Sequence, residues 1–324
     1  MSSSPVAALI DPQPLAAQSG GQHPFPRILV LLAAYNGAAW IGPQLRTILG
    51  QRGVNVQVMV RDDGSSDNTR TEISPFSLDG RVTLCPPGPP TGSAAQNFLT
   101  LIRATPGDGF DFIALSDQDD LWSSGRLLRA ARRLLAGRAA GYSSATVAEW
   151  PDGRRAILRQ SGAMRAADFL FEGAGQGCTF LLRADFYRRV REFLRAQPQL
   201  GRDLHYHDWA IYALARTWNL QWIFDQRPTL RYRQHAGNDT GARSGPGAIT
   251  RRMRLIRTGW YRRQLAVIGD LCGAAAPSNT TVTAWREILT RRRRLQTAGF
   301  CLRMGRRKLL DRAVVVFAAL VGWI

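Results

Sequence analysis

Lysine is nearly absent from this chain. Of its 43 basic residues only Lys308 is a lysine, and the rest are arginines. Cysteine is sparse too. Cys85, Cys178, Cys272 and Cys301 stand far apart with no metal-ligand spacing, which argues against a disulfide framework and for a reducing compartment. Long apolar runs are missing. The run from Ala313 to Ile324 is about 12 residues, short of the ~20 that span a bilayer. It reads as a core segment or as one that docks on a membrane surface. No glycine-rich phosphate fingerprint follows the first apolar run, so a dinucleotide or P-loop reading is unsupported. Met1 to Pro26 lacks a basic start and an apolar core, unlike a signal peptide. Its Ala, Ser, Pro, Gln and Gly content predicts a disordered lead over 1–26. No internal repeat is visible.

What is present is enough apolar residue, 45%, to bury a core, and a formal charge of +19. That charge is concentrated. From Arg243 to Ile324 there are sixteen arginines and Lys308 against Asp270, Glu287 and Asp311, a net of +14. A basic end attracts nucleic acid, anionic lipid or another polyanion.

Between these ends, apolar strands alternate with amphipathic helices. Ile28–Asn36 reads as a buried strand running into a loop, and Val56–Val60 as a second that breaks at Asp62-Asp63-Gly64. Arg81–Cys85 is a weaker third, and Phe112–Ser116 a fourth. Strands apolar on both sides predict a mostly parallel sheet covered by helices. Tyr35, Asn36, Asp62, Asp63, Asp117 and Asp119 all fall just past carboxyl ends of these strands, where open α/β sheets bind ligands. In Phe112–Trp122 the apolar run ends in three carboxylates, Asp117, Asp119 and Asp120. Two hard oxygen ligands two residues apart suit a divalent cation that keeps sites for phosphates. A solvated turn with a helix cap explains the same residues. Further on, a hairpin is expected about Pro151-Asp152-Gly153, and a glycine-rich loop over Gly173–Gly177. A helix should enter near His207-Asp208, with two short strands at Leu220–Asp225 and Leu230–His235.

Taken together, the motifs resemble a family. LLAAYNG, VMVRDDGSSDNT, NFLTLI, ALSDQDDLW, GCTFLL, HDWAIYALA and LRYRQHAGNDTGA occur in the order and spacing of the inverting family 2 glycosyltransferases of the GT-A fold, in the bacterial rhamnosyltransferase-like branch. The resemblance covers Arg27 to Gly241. It implies a GT-A domain over 27–241, followed by a basic helical region over 242–324. It implies that Tyr35, Asn36, Asp62, Asp63 and Asp117 line the nucleotide-sugar pocket, with the glycine loop at Gly177 approaching the donor or acceptor. Asp119 and His235, with Asp117 as a further ligand, would hold Mg²⁺ or Mn²⁺ at the diphosphate. Asp208 would be the general base, although a helix N-cap explains it equally from the residues alone. Asp120 is expected to hold the loop or cap the next helix.

The implied activity is metal-assisted transfer of a sugar, L-rhamnose from a dTDP donor, to a cell-surface polysaccharide or lipid-linked acceptor. The segment Ala139–Asp168 matches the family poorly and leaves the acceptor open. A pyrophosphorylase of similar fold would need a basic glycine-rich loop after the first strand, which is missing. A polyanion-binding protein would rest on the basic end. Few aromatics interleave there, which argues against nucleic acid. Arg-rich helices carrying Trp260, Tyr261 and Trp285 instead suggest an anionic membrane surface, with the protein cytoplasmic and peripheral at the inner leaflet. A solvated appendage or a dimer face explains the same composition.

Overall fold

Strand alternation decides which residues meet. In β1 (Arg27–Ala34), Ile28, Val30 and Leu32 point to one face of the sheet, and Leu29, Leu31 and Ala33 to the other. All are buried, because helices cover both faces. The computed structural model describes residues 24–159, 163–235 and 254–324. The disordered lead expected over 1–26 lies outside them up to residue 23, as do the motif residues 236–242.

The first half follows the expected alternation. After β1 come α1 (Ala38–Leu49), β2 (Asn55–Asp62), α2 (Thr69–Ile73), β3 (Val82–Leu84), α3 (Ala94–Ala104) and β4 (Phe112–Asp117). These strands pair in parallel, in the order β3-β2-β1-β4. The order reverses between β1 and β4, so a crevice opens at their carboxyl ends.

The second half is more mixed than a mostly parallel sheet. It comprises β5 (Leu121–Trp122), α4 (Arg126–Gly137), β6 (Gly141–Glu149), β7 (Arg155–Leu158), β8 (Leu181–Arg183), α5 (Ala184–Ala196), α6 (His207–Thr217) and β9 (Trp222–Arg233). Here β8 runs antiparallel to β4 and β6, β5 is antiparallel to β9, and β6 is parallel to β9. The hairpin about Pro151-Asp152-Gly153 forms between β6 and β7. The two short strands expected near the end of this region are one strand, β9. Its register jumps where Ser144 pairs with Asp225 and Ala145 with Pro228. The buried Asp225 carboxylate accepts from Arg227 N–H (3.0 Å), Tyr142 Oη (2.9 Å) and Arg129 Nε (2.7 Å). The residues that look like a turn are therefore a bulge pinned by one carboxylate.

Beyond the helical residues 254–257, the described chain continues with α7 (Trp260–Ala275), α8 (Thr280–Arg291), α9 (Arg294–Met304) and α10 (Leu309–Leu320). The break at Ala276-Pro277-Ser278 separates α7 from α8. These helices share a core with the sheet. Trp285 packs against Phe171 and Phe300, and Tyr261 stacks on Trp209. Trp285 and Tyr261 are buried, so neither is available to a membrane interface. Nine of the eleven residues of α6 are buried, because α6 lies between the sheet and α7. A helix apolar nearly all round needs such a position.

Ion pairs lock the layer. Asp168, fully buried, is met by Arg307 Nη1 (2.8 Å), Arg216 Nη1 (3.0 Å) and Tyr212 Oη (2.9 Å). Arg307 also donates to the Gly173 carbonyl (2.6 Å), tying the last helices to the glycine loop.

Candidate active site

Three loops at the carboxyl ends of β1, β2 and β4 are laced together before any ligand is considered. The Gln118 side-chain amide reads the Tyr35 backbone twice. Its Oε1 accepts from Tyr35 N–H (2.6 Å) and its Nε2 donates to the Tyr35 carbonyl (2.7 Å). Asn36 takes a left-handed conformation (φ 48°), which Asn tolerates well. Its Oδ1 accepts from Ser66 N–H (2.8 Å). The N–H groups that open α1 are met by the second loop. Asn36 N–H donates to Ser65 Oγ (2.8 Å), Gly37 N–H to Thr69 Oγ1 (2.7 Å) and Ala38 N–H to Asp67 Oδ2 (3.0 Å). The GSSDNT residues thus satisfy a neighbouring helix end.

Asp62 and Asp63 diverge. Asp62 accepts from Ser65 Oγ and lies 3.5 Å from Arg70 Nη1. Asp63 is surrounded by donors: Arg61 Nη1 (2.5 Å), Thr91 N–H and Oγ1 (both 2.8 Å) and Gly92 N–H (3.1 Å). Burial alone would raise its pKa, but these donors outweigh burial and hold it below the usual carboxylate range. Asp63 spends its oxygens on fastening the loop before α3. Tyr35, by contrast, leaves its side chain exposed over the crevice.

The carboxylates after β4 gather more tightly. Asp119 Oδ2 lies 2.8 Å from His235 Nε2, and the His235 ring stacks on Trp40 at 5.1 Å. His235 is therefore held in the site rather than loose on the surface. Asp117, Asp120 and Cys178 each place one potential ligand atom within 4.8 Å of the others. Asp120 differs from expectation. It does not cap a helix: it is fully buried, no N–H or hydroxyl donates to either oxygen, and its one hydrogen-bond partner is the Cys178 thiol. The cap position of α4 belongs to Gly125. Burial first, then the neighbouring Asp119 and Asp117 charges, drive the Asp120 pKa well up. Burial likewise raises the Cys178 thiol, which argues against a thiolate ligand at neutral pH. Asp119 and His235 form a pair of their own outside that converging group of Asp117, Asp120 and Cys178. Carboxylates and an imidazole are donor types that suit a hard divalent cation such as Mg²⁺ or Mn²⁺.

The glycine loop joins this cluster to Asp208. Cys178 touches the carboxylates, and its carbonyl accepts from the buried Arg126 Nη2 (2.5 Å). One residue earlier, Gly177 N–H donates to Asp208 Oδ2 (3.2 Å), while Trp209 N–H donates to Oδ1 (2.6 Å). Asp208 lies inside the first turn of α6, and the cap position is Tyr206, so it is not an N-cap. The glycines serve close approach to α6 itself. A Cβ at 177 would fall 2.6 Å from His207 Nε2 and 3.2 Å from Asp208 Cβ, and one at 173 would fall 3.2 Å from Trp209 Cα. His207 is buried against Phe98, with ring centroids 4.0 Å apart. Burial pushes its pKa down to about 3.

Comparison with known proteins gives the family. The glycosyl transferase family 2 model matches residues 29–189. The dTDP-rhamnosyl transferase RfbG of Shigella flexneri is 34% identical over 241 residues, covering 74% of this chain and 83% of RfbG. The chain belongs to glycosyl transferase family 2. It is a nucleotide-sugar-dependent glycosyltransferase. A second relative is the Escherichia coli UDP-Glc:alpha-D-GlcNAc-diphosphoundecaprenol beta-1,3-glucosyltransferase WfgD. It is 34% identical over 101 residues, which span 31% of this chain and 38% of WfgD. Among solved structures, S. aureus TarS 1-349 in complex with UDP-GlcNAc superposes with a TM-score of 0.52 at 12% identity, over 92% of this chain and 89% of that one. The likeness extends to the GT-A fold.

Within this glycosyltransferase, the sequence pattern left several site residues unmarked. Arg126 and Trp40 belong to no quoted motif, and Cys178 and Arg233 lie inside quoted motifs without being given a role of their own. Yet Arg126 lies over Trp122 (3.7 Å), Arg233 over Trp40 (5.1 Å), and Cys178 beside the carboxylates. Position just past a strand end could have flagged only Arg233, at the end of β9.

Proposed function

We propose that this glycosyltransferase moves L-rhamnose from a dTDP donor to a saccharide or lipid-linked acceptor, with inversion and with Asp208 as general base. The observation that carries the reading is the Gly177–Cys178 segment. Its two residues touch the base candidate on one side and the carboxylate cluster on the other, so the proton acceptor and the diphosphate site share one rigid strut. Asp208 takes the proton from the acceptor hydroxyl. That oxygen bonds to the anomeric carbon as the carbon–phosphate oxygen bond breaks on the opposite face, and the nucleoside diphosphate leaves. Tyr35, Asn36 and Asp62 line the nucleotide side, and Asp63 holds the loop that shapes it. Asp119 and His235, with Asp117, would hold Mg²⁺ or Mn²⁺. A cation there neutralises charge on the leaving diphosphate. Arg233 adds positive charge beside the same cluster.

The similarity to RfbG supports the dTDP-rhamnose donor. The transfer by WfgD to a diphosphoundecaprenol-linked sugar supports a lipid-linked acceptor, which this protein would meet at the inner face of the cytoplasmic membrane. Among the described residues, no helix is long and apolar enough to cross a membrane. The test is thermal stabilisation by dTDP-rhamnose, UDP-glucose and GDP-mannose, with and without Mg²⁺ or Mn²⁺, followed by NMR of the transferred anomeric centre. Metal-dependent stabilisation by dTDP-rhamnose and an inverted product are expected. Stabilisation by another sugar nucleotide alone would replace the donor, and a retained configuration would overturn the mechanism.

A further inference from the structure

The last two helices leave apolar faces uncovered. On α10, Val315, Ala318 and Ala319 are buried against the protein. The other side is exposed: Leu310 (82%), Val314 (38%), Phe317 (50%) and Val321 (37%). Their spacing of 4, 3 and 4 places them on one stripe of a helix. On α9, Leu295 (79%) and Leu302 (57%) lie seven apart and are equally uncovered. The two helices pack together. A groove between α8 and α9, floored by Phe300, continues the apolar surface from Leu295. Exposed single leucines are ordinary, but two helices packed together that each leave large apolar side chains bare mark an interaction surface.

The charge around the stripes selects the occupant. Arg291, Arg292, Arg293 and Arg294 form an exposed run leading into α9, of which Arg291 is paired with Glu287 (2.5 Å), and Arg303 and Lys308 are exposed as well. α9 carries no acid, and the one acid of α10, Asp311, lies 3.9 Å from Arg306. A second copy of the chain would bring this cationic rim against itself. An anionic bilayer complements it while taking up the leucine and phenylalanine side chains.

We propose that α9 and α10 dock this glycosyltransferase in the interfacial plane of an anionic lipid surface, through Leu295, Leu302, Leu310, Val314, Phe317 and Val321 with an arginine rim. The proposal stands apart from the choice of donor and acceptor, and its readout needs no turnover. The experiment is co-sedimentation of the full chain with vesicles of phosphatidylcholine alone and of phosphatidylcholine with phosphatidylglycerol, at low and high salt. Binding to the phosphatidylglycerol vesicles is expected, weakening as salt rises. Leu310→Glu/Phe317→Glu should lower that partition at least about tenfold, from lost apolar burial and added negative charge. Its thermal midpoint and nucleotide affinity should stay unchanged. Leu310→Gln/Phe317→Gln should do the same to a smaller extent, and it serves if the charged pair disturbs folding. Equal partition of wild type and variants would overturn the proposal. So would equal binding to neutral vesicles, or a wild-type dimer in light scattering that the variants dissociate without changing vesicle binding.

Discussion

Gly177→Ala tests the strut between the acid cluster and Asp208. The added Cβ would lie 2.6 Å from His207 Nε2 and 3.2 Å from Asp208 Cβ, whereas relaxed contacts lie near ~3.5–4 Å. Something must yield by about 1 Å. The imidazole has little room, because it is buried and stacked on Phe98. The movement therefore falls on the loop or on the first turn of α6, and either lengthens the Gly177 N–H···Asp208 bond. Overpacking of this kind costs ~1–3 kcal/mol of stability. A misplacement of about 1 Å at a reacting group costs ~100-fold in rate, or ~2.7 kcal/mol in the barrier. We expect kcat to fall by about that factor, with the dissociation constant of the donor nucleotide unchanged by calorimetry. Adding His207→Ala should restore part of kcat, because it vacates the space the methyl needs. His207 Nε2 makes no hydrogen bond that would be lost. The coupling between the two changes is the measured quantity. Unchanged kcat with weakened donor binding would refute the reasoning and return Gly177 to the donor side, as its motif first suggests.

Asp208→Asn should abolish transfer while dTDP binding, followed by calorimetry, stays within about twofold. Retained turnover would remove Asp208 from the base role. Asp119→Ala should weaken nucleotide binding only in the presence of Mg²⁺ or Mn²⁺, so titrations with and without EDTA should converge in the variant and differ in the wild type. Arg307→Met leaves the buried Asp168 with one cationic partner fewer. It should cost ~3 kcal/mol or more, read as a lowered urea midpoint. His207 is held neutral in the fold by burial, with a pKa of about 3. Between about pH 6.5 and that value only the unfolded chain takes the proton. Stability should therefore fall as pH drops through this window, by ~1.4 kcal/mol per pH unit. In acid-unfolding curves His207→Leu should flatten that slope, and an unchanged slope would mean the ring reaches solvent.

The first half of the fold was legible because each parallel strand is a continuous apolar run bounded by turn residues. The second half was less so. β8 is three residues long, and its antiparallel place between β4 and β6 follows from packing, not from any period. Asp225 to Pro228 mimics a turn, since nothing local reveals that Arg129 and Tyr142, 96 and 83 residues away, will seat the carboxylate. In the basic C-terminal region, Tyr261 and Trp285 look like interfacial aromatics by composition. They are core because α7 and α8 fold back over α6. The bare stripe lies on α9 and α10 instead. In the site, acids at strand ends declared themselves. What they do for one another did not: Asp63 binds a loop 28 residues ahead, and Gly177 meets a carboxylate 31 residues on.

The acid cluster is where local stability logic fails most openly. A buried carboxylate met only by a weak thiol donor is costly, and Asp120 has two other carboxylates beside it. Cores do not accumulate such a group for packing. A valine or an asparagine would fill the space at lower cost. Arg126 offsets part of the charge, but it donates to the Cys178 carbonyl and not to Asp120. The remaining strain is relieved in the protein alone by a raised Asp120 pKa, beside Asp119, which pairs with His235. Local rules broken without a compensating protein partner are expected at functional positions. The same reasoning separates Asp63 from Asp120. Asp63 is buried too, though less completely, yet four donors of the protein surround it, so its charge serves the architecture. Asp120 lacks such a set of donors, and burial with two neighbouring acids favours its neutral form. The cation proposed at this cluster would reverse that preference, which is the electrostatic reason for seeking it on the β4 side, with Asp208 held across the Gly177 segment.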